Sequence, residues 1–205
     1  ILLLNSDTIV VTDAIIKMYN FFVQNKHIHF LGAKLFNIDM TTQASSAPFY
    51  TLPVIFGALF LKGDYWGLTR SSPDKTTKTD WVSGACVLTK KEYFEKVGGF
   101  DEKIFMYMDE VDLLYRANKH GLSTYFYPYS HFIHLGSASS QGKTYPILQV
   151  YKGFLYFYHK HYGHLELFFL KIMLQLKAII SIIIGYITHN SYLIKTYEEA
   201  FKLAR

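Results

Sequence analysis

The chain has 205 residues, the size of one large domain or of a domain with an appended helical tail. Half of it is apolar, which excludes wholesale disorder, and its net charge of +5 suits an anionic partner such as a nucleoside diphosphate or a phospholipid. The Lys and Arg are dispersed, without a basic run, zinc-ligand spacing or an RNA-binding signature, so nucleic acid is not an expected partner.

In chain order, Leu2 to Leu4 is an unbroken apolar run, as for a strand buried on both faces of a parallel sheet. Such a strand belongs with others that precede it, so the chain is expected to be the second part of a larger sheet. The turn-forming Asn5-Ser6-Asp7-Thr8 follows, then a helix over about 12–24 with Ala14, Ile15, Met18, Tyr19 and Phe22 at helical spacing. Strand, polar tip and helix form an α/β pattern, which collects ligands at the carboxyl ends of strands, where Asp7 lies. Residues 30–44 read as a short strand pair turning at Asn37-Ile38-Asp39. Residues 45–80 lack a clear period and read as a long surface or active-site loop.

Trp81 to Leu88 reads as one apolar strand containing Gly84, followed by a helix from Lys90 to Val97 that Gly98-Gly99 closes. Cys86, the one cysteine, lies in Ala85-Cys86-Val87-Leu88 and is expected to be a buried core thiol, so no internal disulfide forms and a reducing compartment is expected. An acidic helix runs from Asp109 to His120 and stops at Gly121, a strand covers Tyr125 to Phe132, and two helices near 143–162 and 165–188 finish the chain. The domain expectation is a catalytic part over 1–140 and a helical tail over 141–205. Ala178 to Ile187 is too short an apolar run to span a bilayer, which needs ~20 residues. The tail reads as an interfacial helix with snorkelling lysines, with a helix packed on the catalytic part and a membrane span as alternatives.

Three segments carry polar groups suited to a cleft: Asp7, the Asp109-Glu110-Val111-Asp112 cluster and His134. A carboxylate and an imidazole are reasonable ligands for Mg²⁺ or Mn²⁺, and a nearby carboxylate can deprotonate a hydroxyl. At about 100° per residue, Asp109, Asp112 and Arg116 share one helix face while Glu110 points with Leu113, Leu114 and Ala117. Asp109 then serves as an N-cap, and Asp112 pairs with Arg116 at i, i+4. Glu110, a carboxylate heading an apolar face, is left as the unusual residue.

Five strings, taken in order, resemble the second half of family 2 glycosyltransferases of the GT-A fold, particularly the rhamnosyltransferase-like branch. They are Leu3-Leu4-Asn5-Ser6-Asp7-Thr8, Trp81-Val82-Ser83-Gly84-Ala85, Val97-Gly98-Gly99-Phe100-Asp101-Glu102, Phe105-Met106-Tyr107-Met108-Asp109-Glu110-Val111-Asp112-Leu113 and His134-Leu135-Gly136-Ser137. The resemblance implies an α/β Rossmann-like domain with a mixed sheet. Asp7 would stand for the last acid of the metal-binding DxD motif, with Asn5 at its first position beside the nucleotide-sugar donor, and His134 would be the second protein ligand of Mg²⁺ or Mn²⁺. The Asp109-Glu110 pair would hold the general base, with Glu110 in that role by position. Trp81, Gly84 and Ala85 would belong to the acceptor and donor-sugar pocket, and Asp112 would contact the acceptor.

The implied reaction is an inverting transfer of a sugar, rhamnose being one candidate, from a nucleoside diphosphate donor to a glycan or a polyprenyl-diphosphate-linked acceptor. The implied place is the cytoplasm, peripheral to the inner face of the cell membrane. The family's usual Glu-Asp is reversed here to Asp109-Glu110, and its DxD keeps a single carboxylate. A non-catalytic glycan- or membrane-binding remnant is the alternative.

Overall fold

The computed structural model describes residues 1–136 and 144–205. Ser137, the last residue of the fifth string, and the expected boundary at 140/141 lie outside the described residues. The chain forms two compact units. The first gathers Ile1–Ala58, Lys62–Asp101 and Asp109–Ala138, and the second Leu59–Leu61, Glu102–Met108 and Ser139–Arg205.

The first unit is built on a mixed sheet. Its strands are β1 (Leu2–Leu4), β2 (Thr8–Val10), β3 (Phe30–Phe36), β4 (Thr42–Gln43), β6 (Thr77–Thr79), β8 (Cys86–Thr89) and β9 (Thr124–His134), and its main path runs β1-β8-β3-β9-β2. β5 (Ser46–Ala47) and β7 (Trp81–Val82) form a separate antiparallel pair. The helices in chain order are α1 (Ala14–Gln24), α2 (Leu52–Phe60), α3 (Lys91–Lys96), α4 (Asp109–Lys119), α5 (Thr144–His161), α6 (His164–Ile187) and α7 (Ser191–Leu203).

The core forms where α1 lays Ala14, Met18 and Phe22 on Leu31, Ala33 and Leu35 of β3, with Cys86 and Phe132 beside them. The fully buried Phe132 side chain contributes about 1.5–3 kcal/mol by removal from water. Cys86 lies in this core as expected, and burial pushes its thiol up to about 12.

The parallel-sheet expectation for Leu2–Leu4 is corrected. β1 pairs antiparallel with β8, Leu3 opposite Val87, and Leu4 remains 38% exposed. The parallel pair is β3 with β9. An apolar run reports burial potential; strand direction is set by partners distant in sequence.

Two other local expectations change. The stretch over 45–80 contains α2, whose sequence Leu52-Pro53-Val54-Ile55-Phe56-Gly57-Ala58-Leu59-Phe60 is apolar on every side and so carries no amphipathic period. Pro53 falls in its first turn, where a missing N–H costs nothing. The expected single strand Trp81–Leu88 breaks at Ser83–Ala85 into β7 and β8.

The second unit holds α5, α6 and α7. α7 lies beyond the two helices expected from the pattern; its N-cap is Asn190, whose side chain accepts from the Leu193 N–H at 3.2 Å.

Candidate active site

The break at Ser83–Ala85 is the hinge of the site. It turns Gly84 toward the first turn of α4, where the Gly84 N–H points at Glu110 Oε1 at 3.4 Å. A Cβ placed on Gly84 would meet Glu110 Cβ at 3.4 Å, so glycine lets the acidic side chain pass close to the strand corner. Ala85 extends the connection through its carbonyl, which accepts from the Asn5 N–H at 3.2 Å and the Thr8 hydroxyl at 3.4 Å. The same corner therefore holds the acidic helix start on one side and the Asn5–Thr8 turn on the other.

Strand register supplies the next neighbour. Thr8 of β2 is opposite His134 of β9, and the Leu135 N–H donates to the Asp7 carbonyl at 3.0 Å. Asp7 Oδ1 then lies 3.3 Å from His134 Nε2, and Asn5 Nδ2 lies 3.4 Å from the same nitrogen. His134 Nδ1 meets Gln43 Oε1 at 2.9 Å. An amide oxygen accepts, so Nδ1 donates to Gln43 in this arrangement and Nε2 is the ring nitrogen that faces the Asp7 carboxylate.

That pairing matches the donor set of a hard divalent cation. Cis ligands of an octahedral Mg²⁺ at ~2.1 Å lie ~3.0 Å apart, close to the 3.3 Å found between Asp7 and His134. A histidine whose second ring nitrogen is held by an acceptor is the usual outer support of a metal ligand. Among the described residues no group of three or more His, Cys, Asp or Glu that could hold a metal ion converges, so Asp7 and His134 stand as a pair.

Glu110 carries the strongest electrostatic signature. Burial pushes its carboxyl up to about 8, with the charge of neighbouring Asp109 and the hydrogen bond between the two acids acting in the same direction; the N–H groups of Glu110 itself and Gly84 oppose it. Both acids are partly accessible along the chain's surface. An elevated carboxyl in a site that opens to solvent is the property a general base needs near neutral pH.

The structure does not bring all the expected residues to an open surface. Asp112 is fully buried, pairs with Arg116 Nε at 2.8 Å as the spacing predicted, and has no face for an acceptor. Arg116 also donates to the Val97 carbonyl and, at 2.7 Å, to that of Gly99, so the pair braces the turn after α3. Gly98 and Gly99 take φ of +83° and +66° in that turn, a conformation other residues resist. Trp81 is buried as well, its indole N–H donating to the Pro48 carbonyl at 2.8 Å. Ala85 acts through its backbone, its methyl being buried.

Two residues of the unpatterned stretch join the site without a sequence signal. Tyr50 stacks obliquely on Trp81 with centroids 5.5 Å apart, and its phenol is pushed above the ordinary range by burial, with Arg70, Asp64 and Glu110 within electrostatic reach. Arg70 lies 5.6 Å from the Trp81 ring, donates to the Ala44 carbonyl at 3.1 Å, and keeps a buried Nε without a hydrogen-bond partner among the described residues. An apolar groove of about 760 Å³ between α1 and the β1–β8 edge is lined by Leu2, Val10, Ile15, Tyr19 and Leu88; none of the acids at the α4 start borders it.

Comparison with known proteins gives the same direction. The model of the glycosyltransferase-like family 2 matches residues 1–146. An N-acetylglucosaminyl-diphospho-decaprenol L-rhamnosyltransferase of Mycobacterium tuberculosis is 44% identical over 54 residues, covering 26% of this chain and 18% of that protein. Rhamnosyltransferase WbbL of Escherichia coli is 31% identical over 140 residues, 65% of this chain and 51% of that protein. The O-antigen biosynthesis protein RfbC of Myxococcus xanthus is 29% identical over 155 residues, 71% of this chain and 12% of that protein. The chain thus spans at most about half the length of these relatives.

Proposed function

Because the chain belongs to the glycosyltransferase-like family 2, we propose that it carries the acceptor-activating part of an inverting rhamnosyltransferase acting on a lipid-linked glycan. The observation that carries this reading is the Glu110 carboxyl, elevated and held at the Gly84 corner, joined through Ala85 to the Asp7–His134 pair. Rhamnose as the sugar, and a polyprenyl-diphosphate-linked acceptor, rest on the names of two relatives.

In this mechanism the acceptor hydroxyl gives its proton to Glu110 as its oxygen attacks the anomeric carbon. The new C–O bond forms on the face opposite the departing diphosphate, the old C–O bond breaks, and the electron pair leaves with the diphosphate, which inverts the anomeric configuration. Asp109 tunes Glu110 by charge and hydrogen bonding. Asp7 and His134 are the residues that would hold Mg²⁺ or Mn²⁺, with Gln43 orienting the imidazole, and such a cation supplies positive charge to the diphosphate. Asn5 lies beside the same imidazole, on the donor side.

The non-catalytic alternative loses ground because a remnant has no need of an elevated carboxyl held at a glycine corner that leads to the Asp7–His134 pair. The test is transfer from dTDP-rhamnose, with the anomeric configuration of the product read by NMR, using the complete reading frame. An inverted product that disappears in Asp7→Asn and His134→Ala supports the reading. A retained configuration, or turnover indifferent to both substitutions, overturns it.

A further inference from the structure

Within the second unit, α6 has two faces of opposite fate. Leu170, Leu174, Ala178, Ser181 and Gly185 are buried. The small residues let α7 approach closely: a Cβ on Gly185 would stand 2.8 Å from Ile194 Cγ1 and 3.1 Å from the Ile194 backbone nitrogen. On the other side Phe168, Ile172, Leu176, Ile179, Ile183 and Ile187 are from 43% to 73% exposed. At about 100° per residue these six fall within a sector of about 100°, and at about 1.5 Å per residue the helix runs about 36 Å. No Asp, Glu, Lys or Arg lies in that sector; Lys171 and Lys177 fall on its two flanks. So long an apolar strip on a protein surface marks an interaction site.

We propose that this face of α6 is a membrane-docking surface that lies in the plane of an anionic lipid leaflet. Three observations favour lipid over protein. The exposed sector is bulky and apolar apart from the phenol of Tyr186, while the small residues that suit helix–helix approach, Ala178, Ser181 and Gly185, lie on the buried face. Across 144–205 there are seven Lys and Arg against three Glu and no Asp, a balance complementary to acidic headgroups. Lys177, on one flank, is placed to extend from the apolar strip to the phosphates, while Lys171 on the other donates to the Arg205 carbonyl at 3.0 Å.

The packing also selects the depth. α6 is long and apolar enough to cross a bilayer by composition. α7, however, packs against it and exposes Lys195, Glu198, Glu199 and Lys202. Full insertion would carry these charges into hydrocarbon, whereas docking by the outer face leaves them in water.

The test is flotation of the protein with vesicles of phosphatidylcholine, with and without phosphatidylglycerol, followed by alkaline carbonate extraction. Binding is expected to be stronger on the anionic vesicles, to be released by carbonate, and to fall about tenfold or more in Ile172→Glu/Ile183→Glu with unchanged helical circular dichroism. If the glutamates lower the melting temperature, Ile172→Ser/Ile183→Ser reads the same face. Equal vesicle binding by a folded variant overturns the proposal, as does carbonate-resistant insertion. Self-association without vesicles that the same substitutions abolish would assign the face to a second copy of the chain. None of these readings depends on sugar transfer.

Discussion

Replacing Glu110 by Gln keeps the shape of the side chain and removes its ability to take a proton. Loss of a positioned general base lowers turnover by about 10²–10⁴-fold, equivalent to about 3–5 kcal/mol of transition-state stabilisation. The structure adds a pH signature. With its carboxyl pushed up to about 8 by burial and by Asp109, Glu110 is protonated in the resting protein at lower pH, so kcat/KM should rise with pH along a limb far above the 4.5 of an ordinary glutamate. Stability moves in the opposite direction. A folded-state value above the unfolded one means that the folded protein holds the proton more tightly, so this contribution is complete below about 4.5 and is lost as pH rises through about 8. Its size is of the order of a few kcal/mol after allowance for the accessible part of the residue. Glu110→Gln should therefore flatten the stability profile between those limits while lowering transfer by that factor. Nucleoside diphosphate release gives the first quantity and urea melts across pH the second. Turnover within tenfold of the parent, or an unchanged stability profile, would refute the assignment; so would loss of activity in Asp109→Asn with Glu110→Gln still active.

Gln43→Leu removes the acceptor for His134 Nδ1, and the metal concentration needed for half-maximal transfer should rise about 10–100-fold with kcat recovered at saturation; an unchanged metal titration would show that Gln43 does not orient the imidazole. Asp112→Ala leaves Arg116 without its buried partner and should cost about 3–5 kcal/mol by chemical denaturation, a loss below about 1 kcal/mol contradicting the bracing role. Gly32→Ala places a methyl 2.4 Å from Val82 Cβ and should destabilise by about 1–3 kcal/mol in urea melts, an unchanged midpoint contradicting this close approach.

Local signals were legible from the chain alone wherever the physics is local. Helix ends at Gly98 and Gly121, both at positive φ, follow from the freedom of glycine, and the Asp112–Arg116 pair follows from helical spacing. The apolar helix α2 and the strand break at Ser83–Ala85 were not legible, since an unbroken apolar run has no period from which to choose between helix, strand and corner. The order of five polar strings sufficed to identify the family, because the residues that carry chemistry recur at fixed places along the fold.

What surrounds those residues was decided by the tertiary structure. Asp112 and Glu110 both open α4, yet one is sealed against Arg116, which also braces the turn after α3, and the other faces the Gly84 corner. The contact of Asp7 with His134 spans most of the first unit's length and exists through the β2–β9 register. Tyr50 and Arg70 come from a stretch without pattern, and only folding brings them beside Trp81. Composition and spacing determine which groups are available; which of them share a dielectric environment depends on contacts between distant segments, and that environment sets the proton affinity of Glu110.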